Sequence, residues 1–156
     1  HAAIQLAGDP ALGLEMGRLR KPGHLGLAGL TAAQAPTVRE AARALIRYEA
    51  LYASNYRGSS SFHEDASGAW LRFYSISPYN AYNRFVVDTV LASWISQLSR
   101  LSGQPLVPMA IHIEFDAGIL FAPAEANLSP AALSALRSVA DVLQAYPQLL
   151  IHQRLL

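Results

Sequence analysis

The chain has 156 residues, the size of one ordinary domain, and with 52% of them hydrophobic against 15% charged it is a packed chain and not a disordered tail. A net charge of +1 supplies no strong field for nucleic acid or acidic lipid, and the absence of cysteine excludes disulfides, thiolate catalysis and cysteine metal sites. No apolar run reaches about 18 residues, so membrane insertion is not expected, and the lack of cysteine leans towards a reducing, cytoplasmic compartment. The high apolar fraction points to some surface covered by a partner or by a missing neighbouring segment. The chain opens at His1 and not at a methionine, and is read as a piece of a longer protein.

In chain order, Asp9-Pro10 is a good cap and first-turn pair for a short helix carrying Leu12, Leu14, Met16 and Leu19, stopped by Lys21-Pro22-Gly23. The run from His24 to Leu30 spaces glycines between leucines. That spacing fits neither dinucleotide nor phosphate loops, so close helix packing or a turn is the better account. The clearest element runs from Gln34 to Tyr56. Thr37 with Glu40 makes a capping box, and Val38, Ala41, Ala42, Leu45, Ile46, Tyr48, Leu51 and Tyr52 form an apolar stripe opposite Arg39, Arg43, Arg47 and Glu49. This predicts an amphipathic helix of about five turns.

Next comes a hairpin: Ser59 to Glu64, a turn over residues 65–68, and a return strand from Ala69 to Ile76. Trp70, Arg72 and Tyr74 share one face and Leu71 and Phe73 the other, and alternation alone does not say which is core. Ser77-Pro78 is expected to open a second long helix ending at Ser102-Gly103. Met109 to Phe115 alternates as a third strand, with His112 and Glu114 opposite the inward Ile111, Ile113 and Phe115. A further strand at Ile119 to Phe121 and a third helix after Ser129-Pro130, with Leu133, Leu136, Ala140 and Leu143 on its apolar line, complete the expectation. The fold class is α+β: a single domain over residues 1–156 with a small, mostly antiparallel sheet packed with about four helices.

The run GDPALGLEMGRLRKPGHLGLAGLTAAQAPTVREAARALIRY, Gly8 to Tyr48, resembles the N-terminal effector-sensing domain of AraC-type bacterial transcription regulators. The later SRLSGQPLVPMAIHIEF, Ser99 to Phe115, is similar to a helix end, Gly-x-Pro and strand of the same domain. This resemblance implies a sensing and dimerisation module. It implies a small-molecule effector, a homodimer, and DNA contact only through a C-terminal helix-turn-helix domain outside this chain. The tail departs from that pattern, so residues 116–156 are of uncertain origin. Phe115 to Ile151 resembles the opening strand and helix of OmpA-like domains, which implies the alternative of a cell-envelope interaction module. The residues with which that family holds peptidoglycan are missing.

No catalytic set emerges. The histidines, His1, His24, His63, His112 and His152, form no close ligand pair, and His63-Glu64-Asp65 is better read as a solvated turn than as a metal site. The serines at 59–61 lack the nucleophile-elbow pattern. No enzyme activity, cofactor or metal is therefore expected. Aromatic residues concentrate where the capped helix meets the hairpin and the next helix. Tyrosines beside an arginine suit a small carboxylate or amphipathic ligand, although core packing needs no ligand at all. The candidate ligand-binding residues are Arg47, Tyr48, Tyr52, Trp70, Arg72, Tyr74, His112 and Glu114.

Overall fold

A computed structural model describes residues 2–53, 58–77, 79–80 and 82–113, together with Leu133, Arg137 and Ala140. Among the described residues the elements in order are α1 (Ala2–Ala7), α2 (Leu12–Leu19), a 3-10 turn (Pro22–Leu25), α3 (Gly26–Ala33), α4 (Val38–Arg47), a second 3-10 turn (Glu49–Leu51), β1 (Gly58–Asp65), β2 (Gly68–Ser75) and α5 (Arg84–Ser102). This is an α+β arrangement with a two-stranded antiparallel sheet. The main core joins α3, α4 and α5 through Leu25, Ala32, Ala41, Ala42, Leu45 and Leu98, with Phe62 and Leu71 of the hairpin packed against it.

The helix starts follow local chemistry. Thr37 is extended and its hydroxyl accepts from the Glu40 amide at 3.2 Å, capping α4 as expected. The Glu40 carboxylate takes the Thr37 hydroxyl at 3.1 Å and not the Thr37 amide. At α2 the Asp9 carboxylate instead accepts from the Ala11 amide at 2.8 Å, so a short turn precedes the helix and moves its start two residues beyond Pro10. α1 was not expected; it buries nothing and ends at Gly8, whose φ of 64° is left-handed.

α4 is shorter than the sequence pattern predicts. Tyr48 leaves helical geometry, and the chain tightens into a 3-10 turn. Two side chains explain this. Glu49, expected on the polar outer face, turns to the hairpin and accepts from the Ser60 amide at 2.9 Å and from the Ser60 hydroxyl. Tyr52 donates back to the Leu45 carbonyl at 3.1 Å. α5 likewise starts later than Ser77-Pro78, because Asn80 and Asn83 hold a non-helical turn: Asn80 N–H donates to Asn83 Oδ1 at 2.8 Å and Asn83 Nδ2 to the Ser77 carbonyl at 2.9 Å. Its end at Gly103, φ 69°, is where the sequence puts it.

The hairpin pairs Ser60 with Phe73 and Phe62 with Leu71, closing through Ala66-Ser67. Asp65 Oδ1 accepts from the Ser67 amide and hydroxyl at 2.6 and 2.7 Å, which fixes the turn and holds the Asp65 carboxyl below its usual range. Met109 to Ile113 does not form the expected strand. The described part holds an isolated bridge at Ile111, although Ile113 is buried and His112 exposed as alternation requires. The expected strand at 119–121 and most of the third helix lie outside the described residues. Leu133, Arg137 and Ala140 are helical and exposed, so Leu133 and Ala140 do not sit on a buried line.

Candidate functional site

The site is built on the contact between α2 and α5. Gly13 and Gly17 lie against α5 so closely that a Cβ on Gly17 would stand 2.5 Å from the Thr89 carbonyl oxygen and 2.7 Å from Ala92 Cβ. Only hydrogen fits there, so the two backbones touch. Ser96 Oγ of α5 donates to the Arg18 carbonyl at 2.8 Å and Arg84 Nη2 to the Pro10 carbonyl at 2.8 Å, pinning both ends of α2. Arg20, the residue that closes α2, is thereby held at the edge of a hollow.

That hollow is a cleft of about 400 Å³ between the end of α4, the hairpin and α5, a volume within the range of small-molecule sites, roughly 300 to 1,000 Å³. Leu25 and Leu45 form its base, Phe73 its hairpin side, and Phe85, Val86, Val90 and Trp94 its α5 wall. Phe73 and Trp94 meet edge to face, with ring centroids 6.4 Å apart and planes at 79°. The polar groups on the lining are few: Arg20, Glu49, Tyr52, Ser59, Thr89 and Ser93. Burial first, and then the charge of Glu49, push the Tyr52 phenol up to about 12 against the opposing pull of Arg20. Its hydroxyl therefore stays protonated at neutral pH.

Of the residues singled out in the sequence, Tyr52 lines this cleft. The hairpin face left open by alternation is now assigned: Leu71 and Phe73 turn inward, while Trp70, Arg72 and Tyr74 are exposed on the other side, away from the cleft. Arg47 is exposed and stacks over Tyr48, its guanidinium carbon 5.8 Å from the ring centroid. His112 is exposed and not part of the lining, and Glu114 lies outside the described residues. Among the described residues, then, Tyr52 is the member of the expected set on this cleft, and the lining adds Arg20, Glu49 and the α5 wall, which the sequence did not single out. Arg20 reads in sequence as one of several basic residues near a helix end, and Glu49 follows the polar line of α4 that the 3-10 turn breaks.

A second depression, between α4 and β1, is a surface groove in which Arg43 and Arg39 pair with Glu64, Arg39 at 2.6 Å, and Arg43 lies over the Phe62 ring. Its charges are satisfied by one another and exposed. Among the described residues no group of three or more His, Asp or Glu is placed to hold a metal ion. No helix there is long and apolar enough to cross a membrane.

An α+β arrangement with a mostly apolar cleft next to a capped helix fits a sensing module, and comparison with protein families agrees. Residues 1–127 match the family described as the arabinose-binding domain of AraC transcription regulators, N-terminal. The chain belongs to this family. It is accordingly a ligand-sensing regulatory domain of the AraC type, and the matched span contains every described residue that lines the cleft. Among curated proteins and solved structures, no significant match to the chain was found.

Proposed function

We propose that this AraC-type domain binds a small metabolite in the cleft between α4, the hairpin and α5, and passes its occupancy to a DNA-binding domain. The cleft itself carries the reading: its lining is apolar with a few polar groups, the composition expected of a small-molecule site. Its walls come from elements far apart in sequence, so a guest that touches Leu45, Phe73 and Val90 together favours one arrangement of α4, hairpin and α5 over others. Ligand control then works by population shift and needs only a difference in affinity between the two arrangements. A homodimer, acting in the cytoplasm where the DNA is, belongs to the same proposal. It is supported by α3, which leaves Leu27 and Leu30 72% and 55% exposed one turn apart.

The test is thermal shift of the purified chain against sugars, amino acids, hydroxy acids and fatty acids, repeated with Ala50→Trp. Ala50 is an exposed, small residue on the cleft lining, so an indole there obstructs the hollow without disturbing the core. A ligand that raises the melting temperature of the native chain and leaves Ala50→Trp unmoved supports the proposal. A flat response across the panel counts against it.

A further inference from the structure

The polar groups of the cleft are unequally occupied. The Tyr52 hydroxyl is committed to the Leu45 carbonyl, and Thr89 Oγ1 donates to the Phe85 carbonyl at 2.6 Å. Both Glu49 oxygens accept from Ser60. Among the described residues Arg20, half-buried, is the one cation on the lining, and its guanidinium makes no hydrogen bond and no ion pair with them; it is not joined to Glu49 although both line the hollow. A cation at the edge of a mostly apolar hollow is complemented by an anion that fits its donors.

We propose that the cleft takes a ligand with one carboxylate and a compact apolar body, the carboxylate held by Arg20 and the body packed against Leu45, Phe73, Val90 and Trp94. This rests on the ligand-sensing reading above and narrows it to a chemical class. The guanidinium fork matches a carboxylate with two parallel hydrogen bonds. Glu49 lines the same hollow, so a second negative charge on the ligand is repelled. A polyhydroxylated sugar is a poorer match. The Tyr52 and Thr89 protons already go to backbone carbonyls, only Ser59 and Ser93 add further hydroxyls to the lining, and the apolar walls would leave most sugar hydroxyls without partners. The carboxylate has two sources that the geometry treats alike, a simple alkanoate and an amino acid whose ammonium turns to Glu49.

Isothermal titration of the chain with hexanoate, norleucine, 1-hexanol, adipate and L-arabinose separates these outcomes. Hexanoate or norleucine is expected to bind better than hexanol and adipate. Arg20→Gln is expected to weaken the carboxylate about ten- to a hundred-fold, the loss of one charge-assisted contact, while leaving hexanol unchanged. Arg20→Lys keeps the charge but not the fork and should fall in between; it decides the matter if Arg20→Gln melts early. Preference for norleucine over hexanoate assigns the ammonium to Glu49, and the reverse assigns a plain alkanoate. Hexanol binding as tightly as hexanoate, equal carboxylate binding in native and both Arg20 variants, or no carboxylate binding at all overturns the proposal. If arabinose binds and Ala50→Trp abolishes it, the sensing reading stands and the carboxylate inference alone falls.

Discussion

Asp88, 3% exposed on α5, shows how one residue can set a pH response without touching the cleft. Burial raises its carboxyl to about 6, against the opposing effects of the hydrogen bond from the Tyr79 hydroxyl at 2.9 Å and the charge of Arg84. Because the folded group holds its proton more tightly than the unfolded one, its contribution to stability is greatest at low pH and falls as pH rises from about 4 to about 6. Asp88→Asn removes that fall. The variant is expected to gain up to about 3 kcal/mol relative to the native chain at pH 7 and little at pH 4, read from urea melts at both values. The Thr37 cap acts at the same scale. Thr37→Ala loses the acceptor for the Glu40 amide and is expected to cost about 1 kcal/mol, again by urea melts. The cap was legible from Thr37 and Glu40 alone, since its geometry needs only four consecutive residues. Asp88 was not, because nothing in the sequence around it says that Tyr79 folds over it.

Among the elements, the α2–α5 seam gives the sharpest prediction. An alanine in a helix ordinarily gains about 1 kcal/mol over glycine. At Gly17 the added methyl meets the Thr89 carbonyl, the Ala92 methyl and the Ser93 amide within 2.8 Å, and a backbone neighbour cannot turn aside. The clash, roughly 1–3 kcal/mol for an overpacked contact, therefore wins. Gly17→Ala is expected to lower the melting temperature by several degrees and, by moving Arg20, to weaken any ligand of the cleft as well. A rise in melting temperature would show that the helices separate freely. At this scale the sequence located the start of α4 and the end of α5, but not the end of α4 or the starts of α2 and α5. Gly103 ended α5 on the expected residue, because glycine alone accepts φ near 69° without strain. The late starts of α2 and α5 come from Asp9, Asn80 and Asn83 bonding to nearby backbone, a competition that the hydrophobic pattern does not register.

At the scale of the molecule, the cleft joins Arg20 at the end of α2, Glu49 and Tyr52 after α4, Phe73 on β2 and the α5 wall from Phe85 to Trp94. A ligand there ties these elements together, so saturation at a hundredfold excess over Kd is expected to stabilise the chain by about 2.7 kcal/mol, visible as a melting shift that grows with ligand concentration. The AraC-type family, the α+β class, the cap of α4 and the hairpin with its turn were all within reach of the sequence, because each rests on residues close together in the chain or on a motif string. The choice of the inward hairpin face, the shortening of α4 by Glu49 and the assembly of Arg20 with Tyr52 were decided only by tertiary contact. A period-2 strand offers two equivalent faces, and a charged residue at a helix end has two directions to turn, until packing against α4 and α5 makes one of them cheaper in free energy.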